Sequence, residues 1–122
     1  MSPLILELQR RSDQADPIVC STGQHREMLQ QVLGYFSITP DHDLGLMQPG
    51  QTLTGLTARC LEAVDRVIAQ TEPDCVVIQG DTTTVMASAM VAFYRQLPVV
   101  HVEAGLRTGD LSAPWPEEFN RR

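Results

Sequence analysis

The sequence is short of positive charge: nine arginines and no lysine stand against fifteen acids, a formal net charge of −6. Outside Arg10-Arg11 and Arg121-Arg122 the basic residues are dispersed, so the clustered basic face that nucleic acid requires is missing and polyanion binding is excluded. A small anion can still be held, because a helix N-terminus or one arginine suffices for a phosphate. Cysteine is equally sparse. Cys20, Cys60 and Cys75 are odd in number, widely spaced and set in apolar patterns, which excludes a disulfide framework or zinc site and predicts buried free thiols in a reducing compartment. No apolar run reaches membrane-spanning length, and Pro3-Leu4-Ile5-Leu6 is broken by Glu7 with its charges following instead of preceding, so neither a span nor a signal peptide is expected. Three catalytic templates are also missing: a Walker-type glycine-lysine loop, a G-x-G-x-x-G turn and a serine nucleophile elbow.

What remains is an ordinary globular composition, 43% hydrophobic and 20% charged over 122 residues, enough for one domain with a core. Leu4, Ile5 and Leu8 recur at helical spacing and predict an amphipathic first helix. Residues 18–22 are a β-branched run ending in hydroxyls, and residues 26–36 place Met28, Leu29, Val32, Leu33 and Phe36 on one helical face. Ser21, Thr22 and Gly23 fall near the start of that helix, with Gln24 and His25 beside them. Asp41-His42-Asp43 sits in an irregular connection and is not a metal cluster, since adjacent loop residues point apart and no further ligand set stands at a supporting spacing. Leu53, Leu56, Cys60, Val64, Val67 and Ile68 trace the clearest helix, stopped by Pro73. Strands at 75–79 and 99–103 then flank a helix at 82–94 with small inner residues Ala87, Ala89 and Ala92. A last helix follows, with Pro116 suited to its first position.

This alternation implies a parallel sheet with helical crossovers, in which a buried strand reads as a continuous apolar run. Two such runs end in an acid, one at Asp81 and one at Glu103. Ligands of open α/β sheets sit beyond the carboxyl ends of strands, so both acids are placed on an active-site rim. Asp81 precedes Thr82, Thr83 and Thr84 at a helix start, where a capping role competes with a catalytic one. A carboxylate pair in unlike environments can divide acid and base duties. Glu117 and Glu118, opening the last helix, are further candidates beside a simple charge–dipole placement. His101 shares a strand face with Glu103, or packs in the core. Arg107, between Gly105 and Gly109, is the best cation for a phosphate or else a salt-bridge partner.

Three long motifs give these residues a family. Gly80-Asp81-Thr82-Thr83-Thr84, His101-Val102-Glu103-Ala104-Gly105-Leu106-Arg107-Thr108 and Pro114-Trp115-Pro116-Glu117-Glu118-Phe119-Asn120-Arg121 resemble the non-hydrolysing UDP-N-acetylglucosamine 2-epimerases, and the likeness extends through Gln24-His25-Arg26-Glu27-Met28-Leu29 and Met47-Gln48-Pro49-Gly50-Gln51. The resemblance implies a fold: residues 1–122 as a partial Rossmann-like parallel sheet flanked by helices, belonging to the N-terminal half of a two-domain, glycosyltransferase-B-like protein. The family's opening strand with its Gly-Thr-Arg-Pro-Glu loop has no counterpart before Met1, and its second domain has none after Arg122.

The resemblance also implies an activity. The family interconverts UDP-N-acetylglucosamine and UDP-N-acetylmannosamine by elimination and re-addition of UDP, for bacterial surface polysaccharides. Its essential acids match Asp81, Glu103 and Glu117. Its substrate- or activator-binding positions match Gln24, His25 and Gln51, with Thr82, Thr83 and Arg107 beside them; Gly50 and Glu27 depart from the arginine and glutamine of some members. No metal or cofactor is called for, and the likeness implies a cytoplasmic homodimer at full length, with no nucleic-acid or membrane partner. Two other readings stay open: a non-catalytic remnant that binds nucleotide sugars, and a hydrolysing relative. Titration with UDP-N-acetylglucosamine distinguishes the first, and product analysis the second.

Overall fold

The computed structural model describes every one of the 122 residues except His25, and Arg26 without its side chain. The elements run α1 (Ser2–Arg10), β1 (Cys20–Ser21), α2 (Arg26–Tyr35), β2 (His42–Asp43), α3 (Leu53–Thr71), β3 (Val76–Gln79), α4 (Thr83–Tyr94), β4 (Val99–Val102) and α5 (Glu117–Asn120). They fall into two compact units, Met1–Gln48 and Pro49–Arg122.

In the first unit, Pro3 lies in the opening turn of α1, where a missing N–H breaks no helical bond. Strands β1 and β2 pair in parallel, Cys20 opposite His42 and Ser21 opposite Asp43. The pairing runs on as Leu44 N–H donates to the Ser21 carbonyl at 2.8 Å and Leu46 N–H to that of Thr22 at 2.9 Å. The Asp41-His42-Asp43 stretch, expected in a loop, therefore holds a strand. Two polar residues leave no period-two apolar pattern to read, and the conformation comes from the partner strand. Asp41 supports it by accepting a hydrogen bond from Val19 N–H at 2.8 Å. After β1 the chain turns on Gly23 at φ +83°, where an added Cβ would lie 3.1 Å from Gly45 Cα. Glycine meets both demands at that position.

The second unit has its core between α3, α4 and β3. Thr52 caps α3 by accepting from Gly55 N–H at 3.1 Å, and Glu72 ends it in the left-handed region at φ 45° just before Pro73. The inward stripe is Leu56, Cys60, Ala63, Val64, Val67 and Ile68, while Leu53, expected on it, is exposed at the first turn. Val85, Ala87, Val91 and Ala92 of α4 and Ile78 of β3 complete the core. Cys60, Ala87 and Ala92 have no accessible surface, and their small size lets the two helices approach closely.

Strands β3 and β4 pair in parallel from Val76 opposite Val99 to Gln79 opposite Val102, with α4 as the crossover between them. β4 is not the buried strand its apolar run predicts: Val99, Val100 and Val102 are 38%, 50% and 39% exposed. Among the described residues it has one strand neighbour, β3, so a run suited to burial is covered incompletely. The peptide bonds Ala113–Pro114 and Trp115–Pro116 are cis. Pro116 stands just ahead of α5 and not at its first position, and the helix ends at Asn120, short of the final arginines.

All three cysteines are free, yet the expectation of burial holds for Cys60 alone; Cys20 and Cys75 are exposed. Cys20 opens β1 and Cys75 immediately precedes β3. Burial pushes the Cys60 thiol up, against the Thr84 hydroxyl and Arg59, which favour its ionised form.

Candidate active site

The ends of β3 and β4 lie side by side, and each hands the chain to an acid. Beyond Gln79, Gly80 N–H donates to the Val102 carbonyl at 3.1 Å, extending the ladder by one bond. Gly80 then turns at φ +91°. Its carbonyl accepts from His101 Nε2 at 2.6 Å, so that nitrogen carries the proton at this contact. His101 is exposed and holds the two strand ends together; it is not a packed core histidine.

The capping question at Asp81 is answered by its neighbour. Thr82 is the N-cap of α4 and accepts from Val85 N–H at 3.4 Å, while Thr83 and Thr84 are buried in the first turn. The Asp81 carboxylate is left to face elsewhere. It meets Arg121, whose Nη2 donates to Asp81 Oδ2 and whose Nε donates to Glu103 Oε1 at 3.3 Å. The side chains of Arg121, Asp81 and Glu103 are 13%, 26% and 18% exposed. The two acids share one cation.

That cation caps the C-terminus of the short helix α5, which is held by polar contacts. Asn120 Nδ2 donates to the Asp81 carbonyl at 2.7 Å. Glu118 has no accessible surface. One of its oxygens accepts from Arg107 Nε at 3.0 Å and Nη2 at 2.9 Å and from Gly109 N–H at 3.3 Å, and the other from Thr108 N–H at 3.1 Å. The Arg107 guanidinium, then the Thr108 and Gly109 N–H groups, outweigh burial and lower the Glu118 carboxyl to about 2. Glu117, one residue earlier, is half-buried, and among the described residues its carboxylate has no hydrogen-bonding partner.

The structure therefore gathers Asp81 and Glu103 at one centre within the second unit. Arg107, expected as a phosphate cation, spends two donors on Glu118 and keeps 42% of its side chain exposed. Gln51 precedes α3 and accepts from Arg59 Nη2. Gln24 belongs to the first unit, in the turn after Gly23, and His25 lies outside the described residues. No group of acids, histidines and cysteines suited to a metal ion occurs among the described residues.

Sequence reasoning assigned no role to Arg121 or Asn120 and left Glu118 as a helix-start acid. Arg121 stands 18 and 40 residues from the acids it joins, so no local spacing marks it.

A parallel α/β frame with two carboxylates joined at adjacent strand ends is of the Rossmann-like class, whose ligands sit beyond the strands' carboxyl ends. Comparison with known proteins narrows it. The profile of the family described as UDP-N-acetylglucosamine 2-epimerase matches residues 7–122, and the chain belongs to that family. The UDP-N-acetylglucosamine 2-epimerase of Escherichia coli (strain K12) is 55% identical over 99% of this chain and 32% of its own length. The Neisseria meningitidis UDP-GlcNAc 2-epimerase crystal structure, bound to UDP-GlcNAc, superposes with a TM-score of 0.93 at 50% identity, over 100% of this chain and 33% of that one. The S. aureus MnaA–UDP co-structure gives 0.93 at 45% identity, over 99% and 31%. The chain spans about a third of the length of these relatives. The Rossmann-like parallel arrangement implied by the resemblance is the one these structures share.

Proposed function

We propose that this chain forms the acid wall of a UDP-N-acetylglucosamine 2-epimerase that interconverts UDP-N-acetylglucosamine and UDP-N-acetylmannosamine. The observation that supports this most is the joined pair Asp81 and Glu103 at neighbouring strand ends in a chain of this family. The chemistry needs such a pair. A base removes the proton at C2 while the C1–O bond breaks and UDP leaves with the electron pair, giving a C1–C2 double bond. Re-addition of UDP at C1 with proton delivery to the other face of C2 gives the epimer. Proton and leaving group are both returned, so no oxidant or cofactor is consumed.

Glu117, half-buried at the start of α5, is the third acid of the set, and Gln24, His25, Gln51, Thr82, Thr83 and Arg107 are the positions assigned to substrate or activator. The reading places residues 1–122 in the N-terminal domain of a two-domain, cytoplasmic, homodimeric protein. UDP contacts from a second domain are then required, and the 122-residue chain by itself is expected to form no UDP-N-acetylmannosamine. A chimera in which this chain replaces the matching third of the Escherichia coli relative is expected to interconvert the two sugars and to take up one deuterium at C2 in D2O. Release of free N-acetylmannosamine and UDP instead would point to a hydrolysing enzyme, and turnover by the isolated chain would refute the two-domain requirement.

A further inference from the structure

We propose that Arg121 is a positioning residue for the acid pair, an inference that rests on the epimerase reading: its guanidinium clamps Asp81 and Glu103 and sets the spacing between them. An arginine just past a helix C-terminus commonly serves the helix dipole or an exposed ion pair. Two observations separate Arg121 from that case. Its side chain is 13% exposed, which removes most solvent screening. It also contacts two acids that lie 40 and 18 residues away in sequence, on the ends of different strands.

Nε and Nη2 project from one planar fork of fixed geometry. Because each takes a different carboxylate, the relative placement of the acids follows the guanidinium instead of the two loops that carry them. Without it, two like charges would face each other with no cation between them. Lysine offers one compact ammonium and cannot reproduce two separated donors. The clamp is itself anchored: Asn120 grips the Asp81 backbone carbonyl and Glu118 is locked into the 107–109 loop. During turnover, a proton taken up by one carboxylate weakens its hold on the guanidinium and leaves Arg121 to the other.

Two measurements decide the matter. On this chain, urea unfolding of Arg121→Gln, Asp81→Asn, Glu103→Gln and their combinations gives the coupling. Each acid substitution is expected to change the unfolding constant at least about fivefold less once Arg121 is gone. Additive effects, within about twofold, would overturn the clamp. In the chimera, Arg121→Gln is expected to lower kcat roughly a hundredfold with the KM for UDP-N-acetylglucosamine within about threefold, as for a misplaced reacting group. Arg121→Lys is expected to recover little of that loss. A raised KM at unchanged kcat, or full recovery by lysine, would also overturn it. An unsubstituted chimera without activity would sink the epimerase reading, while the unfolding cycle still decides whether Arg121 joins the two acids.

Discussion

Asn120 offers a direct measure of how firmly α5 holds the acid-bearing loop. Its side chain is nearly buried, at 8% exposure, and its Nδ2 donates to the Asp81 carbonyl at 2.7 Å. Asn120→Ala removes the donor and leaves that carbonyl without the bond, which costs about 1.5–2 kcal/mol for a neutral pair in a buried setting. With a urea m-value of about 1.5 kcal/mol/M, the unfolding midpoint falls by about 1 M. Asn120→Asp goes further, because it sets a carboxylate against the carbonyl oxygen, and about 3 kcal/mol is expected at neutral pH. The sign of its pH dependence follows from burial. The introduced carboxyl titrates above its unfolded value near 3.9, so stability falls as pH rises through that range and recovers as pH drops, when the protonated acid can donate to the same carbonyl. Trp115 is the sole tryptophan and stands ahead of α5, so its fluorescence reports the segment locally. An Asn120→Ala midpoint within about 0.3 M of the parent, or an Asn120→Asp variant no less stable than the alanine at pH 7, would refute this account of the bond.

Three other outcomes follow from the same contacts. Glu118 is lowered from 4.5 to about 2 by Arg107 and the loop N–H groups; its stabilisation is complete above pH 4.5 and is lost as pH falls toward 2, so Glu118→Gln is expected to flatten the acid limb of a pH–stability curve over that window. Gly23→Ala meets both a left-handed φ and the backbone of Gly45, and a loss of about 1–3 kcal/mol is expected by denaturant titration. Ala87→Leu overfills the contact where Ala87 has no accessible surface, at about 1–3 kcal/mol by the same titration.

The sequence reading succeeded where a pattern repeats. The stripe from Leu56 to Ile68 specifies α3 and its buried face, and the two apolar runs ending near Asp81 and Glu103 specify β3, β4 and the crossover between them. It failed where structure depends on a partner. β2 is two polar residues whose extended form comes from β1, and Cys20 and Cys75 sit in apolar runs yet are exposed. The acids were found because a charge at the tip of an apolar strand is conspicuous. Their shared cation was not, since Arg121 is distant in sequence from both and has no pattern of its own. Glu118 escaped for a related reason: hydropathy marks a glutamate as solvent-facing, and only four convergent donors make its burial tolerable.

α5 wears its polarity inside out. Glu118 and Asn120 are buried while Phe119, between them, is 55% exposed and Trp115 ahead of them is 67% exposed. In this segment the usual sense of a conservative replacement reverses, so that an apolar substitution at 118 or 120 does more harm than a polar one at 119. The second unit is consequently fastened by two kinds of joint. Acid loosens the one that holds Glu118, as pH falls toward 2, and has nothing to discharge among the alanines and valines between α3 and α4. A strongly acidified protein would keep its helical pair and lose first the grip of Glu118 on the 107–109 loop.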